Sequence, residues 1–163
     1  MVSFAVLGAG TFLAATAVWR SFVSNAWQGS FVDAFPIGLF LIVMLVLVPL
    51  HEGLHLIAYP AFGCSSHSWV GLEKKMWMPF VYFDDEISRN RHLLVLMFPF
   101  VGLSVAPFVV ALLNPVYPFV ALLSICNAAG SIMDIIMACF VALRVPRGAI
   151  LRGDASGLYW RHG

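Results

Sequence analysis

Charge is scarce in this chain. Aspartate, glutamate, lysine and arginine make up 10% of its 163 residues, against 61% hydrophobic. A soluble domain carries about 25% charged and roughly 45–50% apolar residues. So little charge argues against a water-covered surface, and much of the surface is expected to face lipid. The net charge of +1 implies no bulk attraction to nucleic acid. Cysteine is sparse too. Cys64, Cys126 and Cys139 are odd in number and far apart, which argues against a disulfide framework. Cys126 and Cys139 sit in an apolar segment and read as small packing residues. Internal repeats and low-complexity tracts are lacking. At this length one domain, residues 1–163, is expected.

What the chain does have is four long apolar runs. They span about Val2 to Trp19, Phe35 to Phe62, His92 to Leu113 and Val116 to Leu143. Each reaches the roughly 20 residues that cross a bilayer as a helix, the first only just. The first run lacks a basic start, although Ala14-Ala15-Thr16-Ala17 looks a little like a cleavage site. We read it as a retained helix. Asn114-Pro115 predicts a tight turn joining the third and fourth runs as a hairpin. Pro49 predicts a kink or break in the second. The expected fold is an all-α membrane protein of about four transmembrane helices.

Basic residues set the expected orientation. With four spans, Lys74, Lys75, Arg89, Arg91, Arg144, Arg147, Arg152 and Arg161 share one side, and the other side holds Arg20. Both termini, the 63–91 connection and the tail 144–163 are therefore expected in the cytoplasm, in a multi-pass protein of a prokaryotic plasma membrane. Ser68 to Leu72 and Met76 to Phe83 are β-prone, with Glu73-Lys74-Lys75 between them. They predict a short hairpin-like connection, whose Trp69, Trp77, Tyr82 and Phe83 suit an interface. Asp84-Asp85-Glu86 reads as a solvated turn.

Inside the second run lies His51-Glu52-Gly53-Leu54-His55. Positions i and i+4 share a helix face, so both histidines can grip one metal ion. Glu52 can handle a proton of water activated there. Three ionisable groups in so apolar a segment are costly to keep. Catalytic zinc normally takes three protein ligands. The remaining acid inside a run is Asp134, and no lysine or arginine lies in any run to balance it. A metal on His51 and His55 is the available counter-charge, so Asp134 is the expected third ligand. Asn127, Gly130, Ser131 and Asp134 follow i, i+3, i+4, i+7 spacing and predict one polar, small-residue stripe. Such a stripe must face protein or water. Gly130 and Ser131 permit close approach, with Ser131 in a supporting role. Asn127 can bond a substrate backbone or orient a ligand. His67 and His92 read as solvated or capping residues, and Glu73 and Glu86 as turn residues.

HEGLH in one membrane helix and N-x-x-G-S-x-x-D in a later one resemble the small integral-membrane zincin peptidases. The likeness covers most of the chain from about Phe35 onward, including Ile87 to Pro99 and Arg144 to Trp160. In outline it is similar to the site-2 intramembrane metalloproteases, in which a later helix carries an Asn and an Asp ligand. The resemblance implies His51, His55 and Asp134 as zinc ligands and Glu52 as catalytic acid/base. Site-2 enzymes usually have Pro within the Asn motif and Gly after the Asp. Gly130 and Ile135 stand there in this chain, a departure that bears on substrate class more than on metal chemistry.

The function expected is zinc-dependent hydrolysis of peptide bonds within or against the bilayer. A peptide or membrane protein would be the substrate, held extended, with the 68–83 strands able to pair with it. The alternative is a non-catalytic zinc-stabilised scaffold or regulator of another membrane protein. Glu52 separates the two, because a structural site is closed by four ligands and needs no free glutamate.

Overall fold

A computed structural model describes residues 2–23, 37–73, 78–113, 118–154 and 157–163. In chain order the elements are α1 (Val2–Val23), α2 (Ile37–Ala58), a 3-10 turn (Pro60–Gly63), β1 (Ser68–Glu73), β2 (Met78–Phe83) and β3 (Ile87–Ser88). Then come α3 (Arg89–Phe100), a π-helical turn (Val101–Val105), α4 (Ala106–Leu113), α5 (Pro118–Gly130), α6 (Ile132–Arg144), β4 (Ile150–Asp154) and β5 (Gly157–Arg161). The protein is mostly helical with small antiparallel sheets. Among the described residues, Phe40–Ala58 and Arg89–Val110 are long and apolar enough to cross a membrane. A third span results if the helices flanking Ser131 count as one.

The residues group into two compact units. The first comprises Met1–Val48 and Phe100–Met133. Its core joins Val43 and Leu47 of α2 to Leu122 and Cys126 of α5, with Phe12, Phe40, Met44, Leu103 and Leu123 around them. A second cluster holds Trp19, Ala121 and Ile125. The Trp19 indole donates to the Ser124 hydroxyl at 3.1 Å, and Phe108 meets its ring edge-on. In α1, the hydroxyls of Thr11, Thr16 and Ser21 each donate to the carbonyl four residues back. Each hydroxyl is thereby paired within the helix itself.

The second unit comprises Pro49–Pro99 and Asp134–Gly163. Its core gathers Ala58, Tyr59, Phe83, Ile87, Val95, Val141, Val145, Ala149 and Leu151. β1 and β2 form one antiparallel hairpin, and β3-β4-β5 form a three-stranded antiparallel sheet. Arg89 caps the end of α6: its Nε and Nη2 donate to the carbonyls of Val145 and Ala142, both at 2.9 Å. A cation there meets the negative end of the helix dipole. α2 leaves through Ala61, Phe62 and Gly63, whose φ values of 53, 55 and 75° are left-handed. Only Gly63 takes that conformation without a Cβ penalty.

Several expectations are modified. α1 runs past Arg20 to Val23, and α2 continues through Pro49. The run 116–143 is divided at Ser131 into α5 and α6. The tail forms β4 and β5, because Ile150-Leu151-Arg152 and Leu158-Tyr159-Trp160 flank turn-forming residues. The expected turns at Asn114-Pro115 and Lys74-Lys75, with Trp77, lie outside the described residues.

Candidate metal centre

The last two turns of α2 place His51 and His55 one above the other, with ring centroids 4.9 Å apart. The first turn of α6 brings Asp134 to them. Its Oδ2 stands 3.1 Å from His51 Nε2 and 3.5 Å from His55 Nε2. One ligand atom from each of the three lies within 4.8 Å of the others. Zinc takes nitrogen and oxygen ligands at about 2.0–2.2 Å in a tetrahedron, which separates neighbouring ligand atoms by roughly 3.3–3.5 Å. The 3.5 Å separation matches that spacing, and the 3.1 Å one is slightly shorter. The side chains are 14%, 11% and 20% exposed respectively, so the cluster is sheltered yet open to water.

His55 carries a further sign of fit. Its Nδ1 lies 2.9 Å from the Val95 carbonyl, in α3. A carbonyl only accepts, so Nδ1 bears the proton and Nε2 keeps its lone pair toward Asp134. That outer hydrogen bond is the usual way a metal-binding histidine is oriented.

Glu52 follows His51 in α2 and is half-buried. It lies within electrostatic reach of His55, His51 and Asp134, and the Val81 backbone hydrogen-bonds to it. The strand register explains why Val81 is available. The Asp84 amide donates to the His67 carbonyl at 3.0 Å, so that pair is hydrogen-bonded. Antiparallel pairs alternate, which makes Trp69–Tyr82 and Gly71–Phe80 bonded pairs and Val70–Val81 and Leu72–Pro79 non-bonded ones. Pro79 therefore forfeits no ladder bond. The Val81 N–H points away from β1, outward from the edge of β2, where Glu52 receives it.

A search against family models matches residues 44–150 to the family described as "Putative zincin peptidase". The chain belongs to that family. The match covers well over half of the 163 residues and contains His51, Glu52, His55 and Asp134. No curated protein and no solved structure matches the chain.

Most of the remaining candidate residues have partners of their own. Asn127 and Ser131 belong to the first unit, 1% and 0% exposed. The Asn127 amide donates to the Ser104 hydroxyl at 2.9 Å and to that of Ser131 at 3.3 Å. Ser104 and Ser124 exchange hydroxyl-to-carbonyl bonds, both 3.0 Å. Gly130 is exposed and leaves the expected stripe, since the helix breaks beside it. His67 is engaged with Asp84 at 2.9 Å, and His92, in the first turn of α3, is half-buried. Neither belongs to the three-residue group. Asp84-Asp85-Glu86 is more than a solvated turn. Asp84 accepts from the Trp69 indole at 2.8 Å and Glu86 from Arg161. The Trp69 and His67 hydrogen bonds hold the Asp84 carboxyl below its usual range, and the Arg161 guanidinium does the same to Glu86.

Sequence reasoning missed three contributors: the Val95 carbonyl, the Val81 amide, and Tyr59. Tyr59 stands four residues after His55 and stacks on Phe83 at 5.2 Å. Burial, then the nearby Glu52 carboxylate, push its phenol up to about 12. Backbone groups carry no residue-type signal, whereas the i+4 spacing of Tyr59 from His55 was open to reading.

Proposed function

We propose that this zincin-family chain is a zinc-dependent peptidase acting in or against the membrane. In this reading His51, His55 and Asp134 hold the metal and Glu52 is the acid/base. The observation that supports it most is the convergence of three ligand atoms beside a glutamate that is not one of them. Zinc supplies Lewis acidity, lowering the pKa of water toward about 7 and polarising the scissile carbonyl.

The chain's own residues do the rest. Val95 keeps His55 in the tautomer that presents Nε2. Asp134 contributes the negative charge that two neutral imidazoles lack. Glu52 takes a proton from the attacking water and returns it to the departing amine. The Val81 N–H holds that carboxylate on the β2 side. A helix hides its carbonyls, so the substrate must be extended at the cut. On the outer edge of β2 the carbonyls of Pro79 and Val81 point away from β1, as acceptors for an added strand. A peptide or an unwound membrane segment meets that requirement. We assign Asn127 and Ser131 a supporting role.

The wider setting is a four-span, site-2-like protein with both termini in the cytoplasm. The apolar spans Phe40–Ala58 and Arg89–Val110, the helical α1 and the eight-to-one basic bias support it. The deciding experiment compares wild type with Glu52→Gln, measuring bound zinc and the accumulation of uncut membrane and cytoplasmic proteins. Glu52→Gln should keep its zinc and lose about 10²–10⁴-fold in turnover. A zinc-loaded Glu52→Gln variant that accumulates no more uncut protein than wild type leaves the scaffold role instead.

A further inference from the structure

Side chains of β2 alternate between two faces. Pro79, Val81 and Phe83 form one row; Phe83 is buried and Val81 packs against the same core. Met78, Phe80 and Tyr82 form the other. Met78 and Phe80 are 52% and 44% exposed, yet Tyr82 is half-buried. The cause lies 71 residues away. The Tyr82 hydroxyl donates to the Gly153 carbonyl in β4, and the ring lies close over that glycine. A Cβ at Gly153 would stand 3.7 Å from the ring. Gly153 pairs with Leu158 of β5, and both Leu158 and the fully buried Leu151 belong to the core beneath. A second tie joins the same tail hairpin to the segment after β2. Arg161 grips Glu86 with two bonds, Nη2 to Oε2 at 2.7 Å and Nε to Oε1 at 3.0 Å. Adjacent residues of β2 thus face opposite duties: Tyr82 is anchored on the tail while the Val81 amide meets Glu52.

We propose that Tyr82 is a positioning residue: docked on Gly153, it holds the outer edge of β2 at Glu52, so that an extended peptide paired there is aligned with the metal centre. The inference rests on the peptidase reading and adds to it a task for the C-terminal hairpin. Tyr82 touches no reacting atom; it acts through Val81.

The test uses the full chain, zinc-loaded, in detergent micelles, with two probes. Acetohydroxamic acid engages the metal alone. An extended tripeptide hydroxamate engages the metal and the strand edge. Tyr82→Phe keeps the ring and removes the donor. It should bind the tripeptide probe about threefold to tenfold more weakly, the worth of one hydrogen bond. Zinc content and acetohydroxamate affinity should hold, and Tyr159→Phe, on exposed β5, should match wild type. Amide exchange should rise over 78–83 and not over 89–99. An unchanged tripeptide affinity, an equal loss for both probes, or a uniform rise in exchange would overturn the proposal. A wild type that binds neither probe sinks the peptidase reading as well, whereas wild-type binding with an indifferent Tyr82→Phe sinks this inference alone.

Discussion

Removing Asp134 is the sharpest perturbation of the metal centre. Asp134→Ala takes away the oxygen that lies 3.1 and 3.5 Å from the two histidine nitrogens. Four-ligand structural zinc sites bind with apparent free energies of about 10–16 kcal/mol, or roughly 2.5–4 kcal/mol per ligand. At about 1.4 kcal/mol per tenfold, losing one ligand weakens zinc by about two to three orders of magnitude. The two histidines remain, with His55 still oriented by Val95, so binding should be weakened rather than abolished. Competition against a chelator of known affinity, on the purified chain in detergent, reads the change directly. His67→Ala is the comparator, because His67 is bonded to Asp84 outside the metal group. Its zinc affinity should equal that of wild type. An Asp134→Ala affinity within about threefold of wild type would refute the three-ligand site.

Leu151 is fully buried in the core that carries Tyr59 and Phe83, so Leu151→Ala should cost about 2–5 kcal/mol, read as a lowered unfolding midpoint. Asn127→Ala removes two buried donor bonds, to Ser104 and Ser131. At about 0.6–2 kcal/mol per bond it should lower stability in detergent measurably, and an unchanged midpoint would show the network to be idle. Asp84 and Glu86 have folded pKa values below their unfolded ones. Their contribution is therefore complete above the ordinary carboxylate range and is lost as pH falls through the lowered values. The Trp69 indole signal, which reports Asp84, should titrate with a midpoint below that of a free aspartate. A midpoint at the ordinary value would contradict the assignment.

The chain by itself determined what depends on local order. Scarce charge and long apolar runs set the membrane-prone helices, and i, i+4 spacing set His51 over His55 on one helix face, because helix geometry is repeated at every turn. The alternating, β-prone stretch on either side of Glu73 was likewise legible as a hairpin. Asp134 was legible as a ligand only by charge balance, since an isolated carboxylate in an apolar run demands a cation. Tertiary structure decided what the run of residue types does not encode. It brought Asp134 to His51, 83 residues away, and to His55 beside it. It divided the later run at Ser131, which put Asn127 in a serine network of the first unit and exposed Gly130. It made a sheet of the tail and seated Tyr82 on Gly153. Above all it aimed backbone groups, the Val95 carbonyl at His55 and the Val81 amide at Glu52. Every residue but proline carries such a donor and acceptor, so no side-chain pattern marks the ones that matter. Only strand register and helix packing select them.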